Sequence, residues 1–247
     1  WGKLFMKAIA KRIALLMLAL CIALLPTFAL ADSNLETDSV GNLLAVEGSA
    51  SGKTIGGDLY CVGQNVDASG AQIGESALLA GQYVSVNNSA VGGSLRAAGY
   101  QISSANTKVD VNATLAAYTI SLGSGFSAKA VYGMASTILF QGTCDTLGFS
   151  AQTVTVSGTV NGDANINAEN VIIADGAVIT GALNVKSANE PSIASGATVG
   201  KLNFTLDTSA QDAASAAETV VAVSPILAKL KSLIMMLPGR ILLAVLY

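Results

Sequence analysis

The sequence predicts an all-β chain: a single-stranded β-helix, or β-solenoid, with about 18 residues per coil, flanked by hydrophobic helices. Three observations carry this. Residues 56–127 repeat an 18-residue unit four times without a gap. Apolar residues within each unit recur two apart, the period of a strand with one buried face. Each short apolar stretch ends in Gly, Asn, Asp or Ser, the residues of turns.

Composition agrees. Of the 247 residues only 12% are charged and 5% aromatic, while 25 are Gly. Typical globular domains carry roughly 25% charge. Such a chain lacks bulky groups for a conventional core, but it can fill a narrow one with Val, Ile, Leu and Ala if a short pattern recurs. His is absent, which removes Ser-His-Asp triads, Cys-His pairs and His-ligated metals. Three Cys without a C-x-x-C spacing support neither a zinc site nor a disulfide framework.

Residues 1–31 read as a secretory signal whose natural start is Met6. Lys7, Lys11 and Arg12 are basic, Ile13 to Leu25 is apolar, and Ala29-Leu30-Ala31 supplies a small-x-small cleavage pattern. A membrane anchor is the alternative reading of the same run. Leu20 before Cys21 does not fit a lipoprotein signal. Without residues 1–31, 9 of the 13 basic residues face all 16 acidic ones, and the bases are scattered. That balance argues against nucleic acid as a partner. Residues 32–40 form a short leader, and 41–206 the β-helix.

The strict units start at Gly56, Gly74, Gly92 and Asp110. Their fourth positions are Leu59, Ala77, Leu95 and Ala113; their sixth are Cys61, Leu79, Ala97 and Leu115. Gly63, Gly81, Gly99 and Ala117 hold the eighth, Val66, Val84, Ile102 and Ile120 the eleventh. Ala68, Val86, Ser104 and Leu122 hold the thirteenth, and Ile73, Val91 and Val109 close the first three units. A strand this short has two open edges and cannot stand alone. Stacking identical units about 4.8 Å apart pairs both edges and lines up like side chains. Leu43 to Ile55 reads as a degenerate first coil acting as a cap. Beyond the strict units the spacing loosens to coils of 16 to 20 residues, irregular between Lys129 and Asp145 and clearest again over residues 147–163. About nine coils are expected, a rod of about 40 Å.

Residues 207–223, rich in Ala, Ser, Thr and Asp, read as a linker. Residues 224–247 then form a membrane-associated helix, Ile226 to Leu237 with Lys229 and Lys231 on an apolar surface. Pro238-Gly239-Arg240 interrupts it, and Ile241 to Tyr247 reads as the start of a transmembrane helix.

The segments Gly56-Gly57-Asp58-Leu59-Tyr60 with Gly63-Gln64-Asn65-Val66, and Val154 to Asp163 with its Gly158-Thr159-Val160-Asn161-Gly162-Asp163 phrase, resemble the bactofilins. Within that family the chain is most similar to exported, membrane-anchored polymer-forming proteins. The resemblance covers residues 40–205. It implies a right-handed β-helix, no nucleotide, end-to-end self-association, a signal peptide before the solenoid and transmembrane helices after it. Many bactofilins are cytoplasmic and lack the signal peptide, so this chain departs from them there.

Several residues imitate sites. Asp58, Asp110, Asp145, Asp163 and Asp175 fall near turns, where Asp commonly bonds backbone. Asp58 and Glu75 are the best pair for a lyase-like Ca²⁺ site with Arg96 nearby, but the carboxylates do not continue down that column. Cys61 and Cys144 stand at inward positions several coils apart, too far for a disulfide. Gln64, Gln82, Tyr100 and Tyr118 form a corner column, read as an external ladder. Tyr83, Tyr100 and Tyr118 are the aromatics a glycan-binding strip would use. The Gly-rich stretches lack a phosphate-loop pattern, and a hexapeptide-repeat acyltransferase would need a His.

The expectation is therefore a non-enzymatic, structural solenoid with no catalytic, metal or cofactor residues. It is exported, anchored to the bacterial membrane outside the cytoplasm through its C-terminal helices, and self-associates through its ends or scaffolds envelope components. A surface adhesin that binds cell-envelope polysaccharide is the second reading.

Overall fold

A computed structural model describes residues 36–37, 41–46 and 49–207. The signal, most of the leader, the linker and both hydrophobic helices expected from the sequence lie outside the described residues. Within them the chain is all-β, with no helix. Leu206 closes the compact unit that holds the coils.

The 18-residue phase becomes parallel pairing. Leu59, Ala77, Leu95 and Ala113 are successive partners in one ladder, as are Cys61, Leu79, Ala97 and Leu115. The first ladder extends in both directions, from Leu43 below through Val131, Leu147, Ala164 and Leu183 to Leu202. Those ten stacked strands, nine steps of about 4.8 Å, give a rod of about 43 Å. Val66, Val84, Ile102, Ile120, Ile138, Val154 and Val171 form a second ladder. The third includes Ile55, Ile73 and Val91, then Cys144, Val160 and Ile179. Three sheets thus enclose one narrow apolar core.

Two local features explain how so short a coil closes. The eighth position is the corner between the first and second sheets, and a Cβ at Gly81 would lie 2.5 Å from the Gly63 carbonyl oxygen and 2.8 Å from Val66 Cγ2. At the turn after the second sheet, Gly52, Gly70, Asn88 and Asn106 all take the left-handed conformation, with φ of 67°, 73°, 54° and 51°. Gly and Asn are the residues that adopt it most readily.

Coil length varies because turns absorb it. Val131 pairs with Leu147, 16 residues on, and Ile173 with Ile193, 20 residues on. Between Phe140 and Cys144 lie three residues, where Leu122 to Ala128 needs five. The longer turn places Phe126 in the core, and Gly142 lies over it in the shorter one: a Cβ there would sit 3.0 Å from Phe126 Cδ1. The irregular stretch from Lys129 to Asp145 therefore keeps its stacking with both neighbours.

The first coil has a cover. Glu36–Thr37, inside the expected leader, pairs antiparallel with Leu44 and Leu43. Leu43 is 5% exposed and Ala45 fully buried. At the last coil, the same two columns end in Leu202 and Phe204, which are 43% and 38% exposed.

Candidate interaction surfaces

The side chains that could be taken for a reaction centre are dispersed, and hydrogen bonds account for several of them. Asp58 accepts the Ser76 N–H of the next coil on Oδ1 at 2.8 Å and the Tyr60 hydroxyl on Oδ2 at 3.1 Å. Asp163 Oδ1 accepts the Ala182 N–H at 2.8 Å, again one coil on. Asp145 accepts Asn161 Nδ2–H at 3.3 Å, and Asp110 pairs with Lys108 at 2.7 Å. The backbone that Asp58 and Asp163 serve is thus the neighbouring coil's, while Asp145 and Asp110 meet side chains. Asp67 is the one that bonds its own turn, accepting the Ser69 N–H at 2.9 Å.

Glu75 does not join Asp58 in a cation site; among the described residues no three acidic or thiol groups converge on one point. Arg96 instead lines a shallow hollow with Asp58, Tyr60, Ser76 and Leu78.

Cys61 and Cys144 are buried thiols outside any disulfide and lie in different sheets. Burial, with Asp67 adding to it, pushes the Cys61 thiol up to about 11. Burial, then Asp145, pushes Cys144 up to about 12. A buried thiol so hard to ionise is a poor nucleophile and packs as a small hydrophobe.

The corner column is a ladder along the outside. Gln64 Nε2–H donates to Gln82 Oε1 at 3.2 Å. Tyr100 and Tyr118 stack with parallel rings, centroids 5.1 Å apart. Ser136, Gln152 and Glu169 continue the line through hydrogen bonds of 3.3 Å. Tyr83 stands in the adjacent column, opposite Gln101. The three tyrosines therefore do not make one row.

A second set of exposed groups was hidden in the sequence. The outer side of the first sheet carries, in order, Leu44, Tyr60, Leu78, Arg96, Thr114 and Tyr132. It continues as Gly148, Asn165, Asn184 and Asn203. Beside it run Val46, Val62, Ala80, Ala98, Ala116 and Met134. Arg96 and Thr114 apart, these two columns are apolar over the first six coils, and Asn165, Asn184 and Asn203 make the first column polar over its last three. Asn184 Nδ2–H bonds Asn165 Oδ1 at 3.0 Å, and Asn203 Nδ2–H bonds Asn184 Oδ1 at 2.7 Å. The sequence signal for this surface was the unbroken apolar run: in Leu59-Tyr60-Cys61-Val62 and Ala77-Leu78-Leu79-Ala80 the alternate residues must face out.

These features define a parallel β-solenoid whose last described coil leaves Leu202 and Phe204 partly exposed and whose first sheet carries two largely apolar outer columns. The chain matches no family model, no curated protein and no solved structure.

Proposed function

We propose that this protein is a non-enzymatic structural rod that self-associates end to end, as the bactofilins it resembles do. The observation that carries the reading is the last coil. Thr198–Leu206 pairs on one side with Val178–Ser187, and its core columns end in half-exposed Leu202 and Phe204 beside exposed Leu206. A strand with an unpaired edge and an uncovered apolar core favours adding another strand. Side chains that already stack at 4.8 Å spacing within one chain can continue that spacing across a junction.

The same proposal places the rod outside the cytoplasm, tethered to the membrane, where it scaffolds envelope components. Support for this comes from sequence order alone: a basic, apolar, small-residue leader before the solenoid and an apolar segment after it. Polysaccharide binding is the second reading, favoured by exposed Tyr60, Tyr100, Tyr118 and Tyr132.

Negative-stain electron microscopy of the full chain in detergent tests the proposal. Particles about two rods long, joined through their last coils, are expected. Dispersed rods that bind glycans would sink it in favour of the second reading.

A further inference from the structure

The chain carries three Asn-x-Ser/Thr triplets: Asn87-Asn88-Ser89, Asn112-Ala113-Thr114 and Asn203-Phe204-Thr205. This triplet, with no Pro in its middle, is the acceptor pattern for N-linked glycans in exported proteins. In a chain rich in Asn, Ser and Thr such triplets also arise by chance, so the fold must decide which can react. We propose that Asn112 is the glycan attachment site of the folded rod, taking an oligosaccharide from a lipid-linked glycosyl diphosphate. This rests on the reading that the rod lies outside the cytoplasm.

Two of the three triplets are tied into the structure. Asn87 Nδ2–H donates to Ser85 Oγ at 2.7 Å, and its Oδ1 accepts the Ala105 N–H at 2.9 Å. The hydroxyl of its triplet, on Ser89, is buried and donates to the Ala68 carbonyl at 2.8 Å. Asn203 Nδ2–H donates to Asn184 Oδ1 at 2.7 Å as the last rung of the Asn ladder. A carboxamide nitrogen held this way must give up its bond, and leave the partner unmet, before it can attack.

Asn112 is placed differently. It opens the strand Asn112–Ala116, where residues two apart face the same side. Ala113 between them is fully buried, which turns Asn112 and Thr114 outward together. Among the described residues neither the Asn112 carboxamide nor the Thr114 hydroxyl has a hydrogen-bond partner, and no unpartnered side-chain polar atom is buried. Both therefore reach solvent. In the coils below, Asp58 accepts the Ser76 N–H at 2.8 Å and Ser76 Oγ accepts the Ser94 N–H at 3.1 Å. Asn112 follows Ser94 at the same position of the next coil, and its side chain drops out of that ladder. Above it stands Ala130, too short to cover the amide. The site lies in the fifth of ten coils, about 20 Å from either end, so a glycan there leaves the last coil free to associate.

The step is a substitution at carbon. Asn112 Nδ2 bonds to the sugar's anomeric carbon as the bond from that carbon to the diphosphate oxygen breaks. The diphosphate leaves on its lipid with the bonding electron pair, and the nitrogen loses one proton to a base of the transferase. Thr114 offers the hydroxyl that completes the acceptor pattern.

The test uses the purified full chain in detergent with membranes that hold an oligosaccharyltransferase and its lipid-linked oligosaccharide, read by glycopeptide mass spectrometry. One oligosaccharide on Asn112 is expected, at least tenfold above the occupancy of Asn87 or Asn203. Short synthetic peptides spanning each triplet should all accept, because no fold then ranks them. Thr114→Ala should lower the occupancy of Asn112 at least tenfold, and Thr114→Ser should retain it. An unmodified Asn112 in the folded chain, comparable occupancy at all three triplets, or equal loss in both Thr114 variants would overturn the inference. Export is read separately in cells, by loss of residues 1–31 from the intact mass. A chain that keeps those residues in cells, yet is glycosylated at Asn112 by the membranes, would contradict the export reading and support the site. An exported chain that stays unmodified beside an active transferase would overturn the site.

Discussion

The first and last coils contain the same columns in opposite states. Leu43 and Ala45 begin the two core columns of the first sheet and are buried; Leu202 and Phe204 end them and are half exposed. At the first coil, Glu36–Thr37 pairs across the strand edge. At the last, Thr198–Leu206 has a paired strand on one side. The difference teaches that this repeat carries no intrinsic stop. A stacked coil presents what the next coil needs, and termination requires an added element.

The sharpest way to break that asymmetry is to charge the open end. Phe204→Lys should raise the concentration needed for end-to-end association at least tenfold, read by sedimentation, because a burial-dependent junction would have to desolvate an ammonium. Ala45→Lys, at the covered end of the same column, should instead unfold the first coil.

The comparison sharpens with one substitution at two heights of the rod. Leu79→Ala, within the core, should lower stability by about 2–5 kcal/mol in urea unfolding. Leu202→Ala, half exposed, should cost under about 1 kcal/mol in dilute solution. Equal costs would mean that the last coil is as closed as the middle.

A third effect is shared by both halves. The Cys61 and Cys144 thiols lie above their ordinary value of 9.0 because burial disfavours the thiolate, so the unfolded chain ionises first as pH rises. Their contribution to stability is fully present below about 9 and is lost as pH climbs toward 11 and 12. Urea midpoints at pH 8 and 10.5 should show the fall, and a Cys61→Ala/Cys144→Val double variant should show less of it.

The smallest effects concern the turn and corner columns. Asn106, at φ 51°, should lose about 1 kcal/mol on replacement by Ala and little on replacement by Gly. Tyr100→Ala should cost about 0.5–1.5 kcal/mol through loss of the stacked pair with Tyr118.

Much of this fold was legible in residues 56–127, because equal turns keep Val66, Val84, Ile102 and Ile120 in one phase. The corner ladder of Gln64, Gln82, Tyr100 and Tyr118 followed from the same phase. Beyond Leu122 the phase blurred for a local reason: the turn before the third sheet changes length, and Phe126 over Gly142 compensates in space rather than in sequence. The pairing of Glu36–Thr37 was missed because two residues have no period. The apolar outer side was missed because an inward-facing pattern accounts for Leu59 and Cys61 and leaves Tyr60 unexamined. The exposed last coil was missed because Leu202 and Phe204 read like any other core pair, and only the stacking order shows them to be the last pair among the described residues.

Hydrogen exchange across a dilution series of the full chain tests the central claim most directly. End-to-end stacking predicts that amides of Thr198–Leu206 become protected as concentration rises, while those of Leu95–Ser104 stay equally protected throughout. Protection of Thr198–Leu206 that does not change with concentration would contradict it.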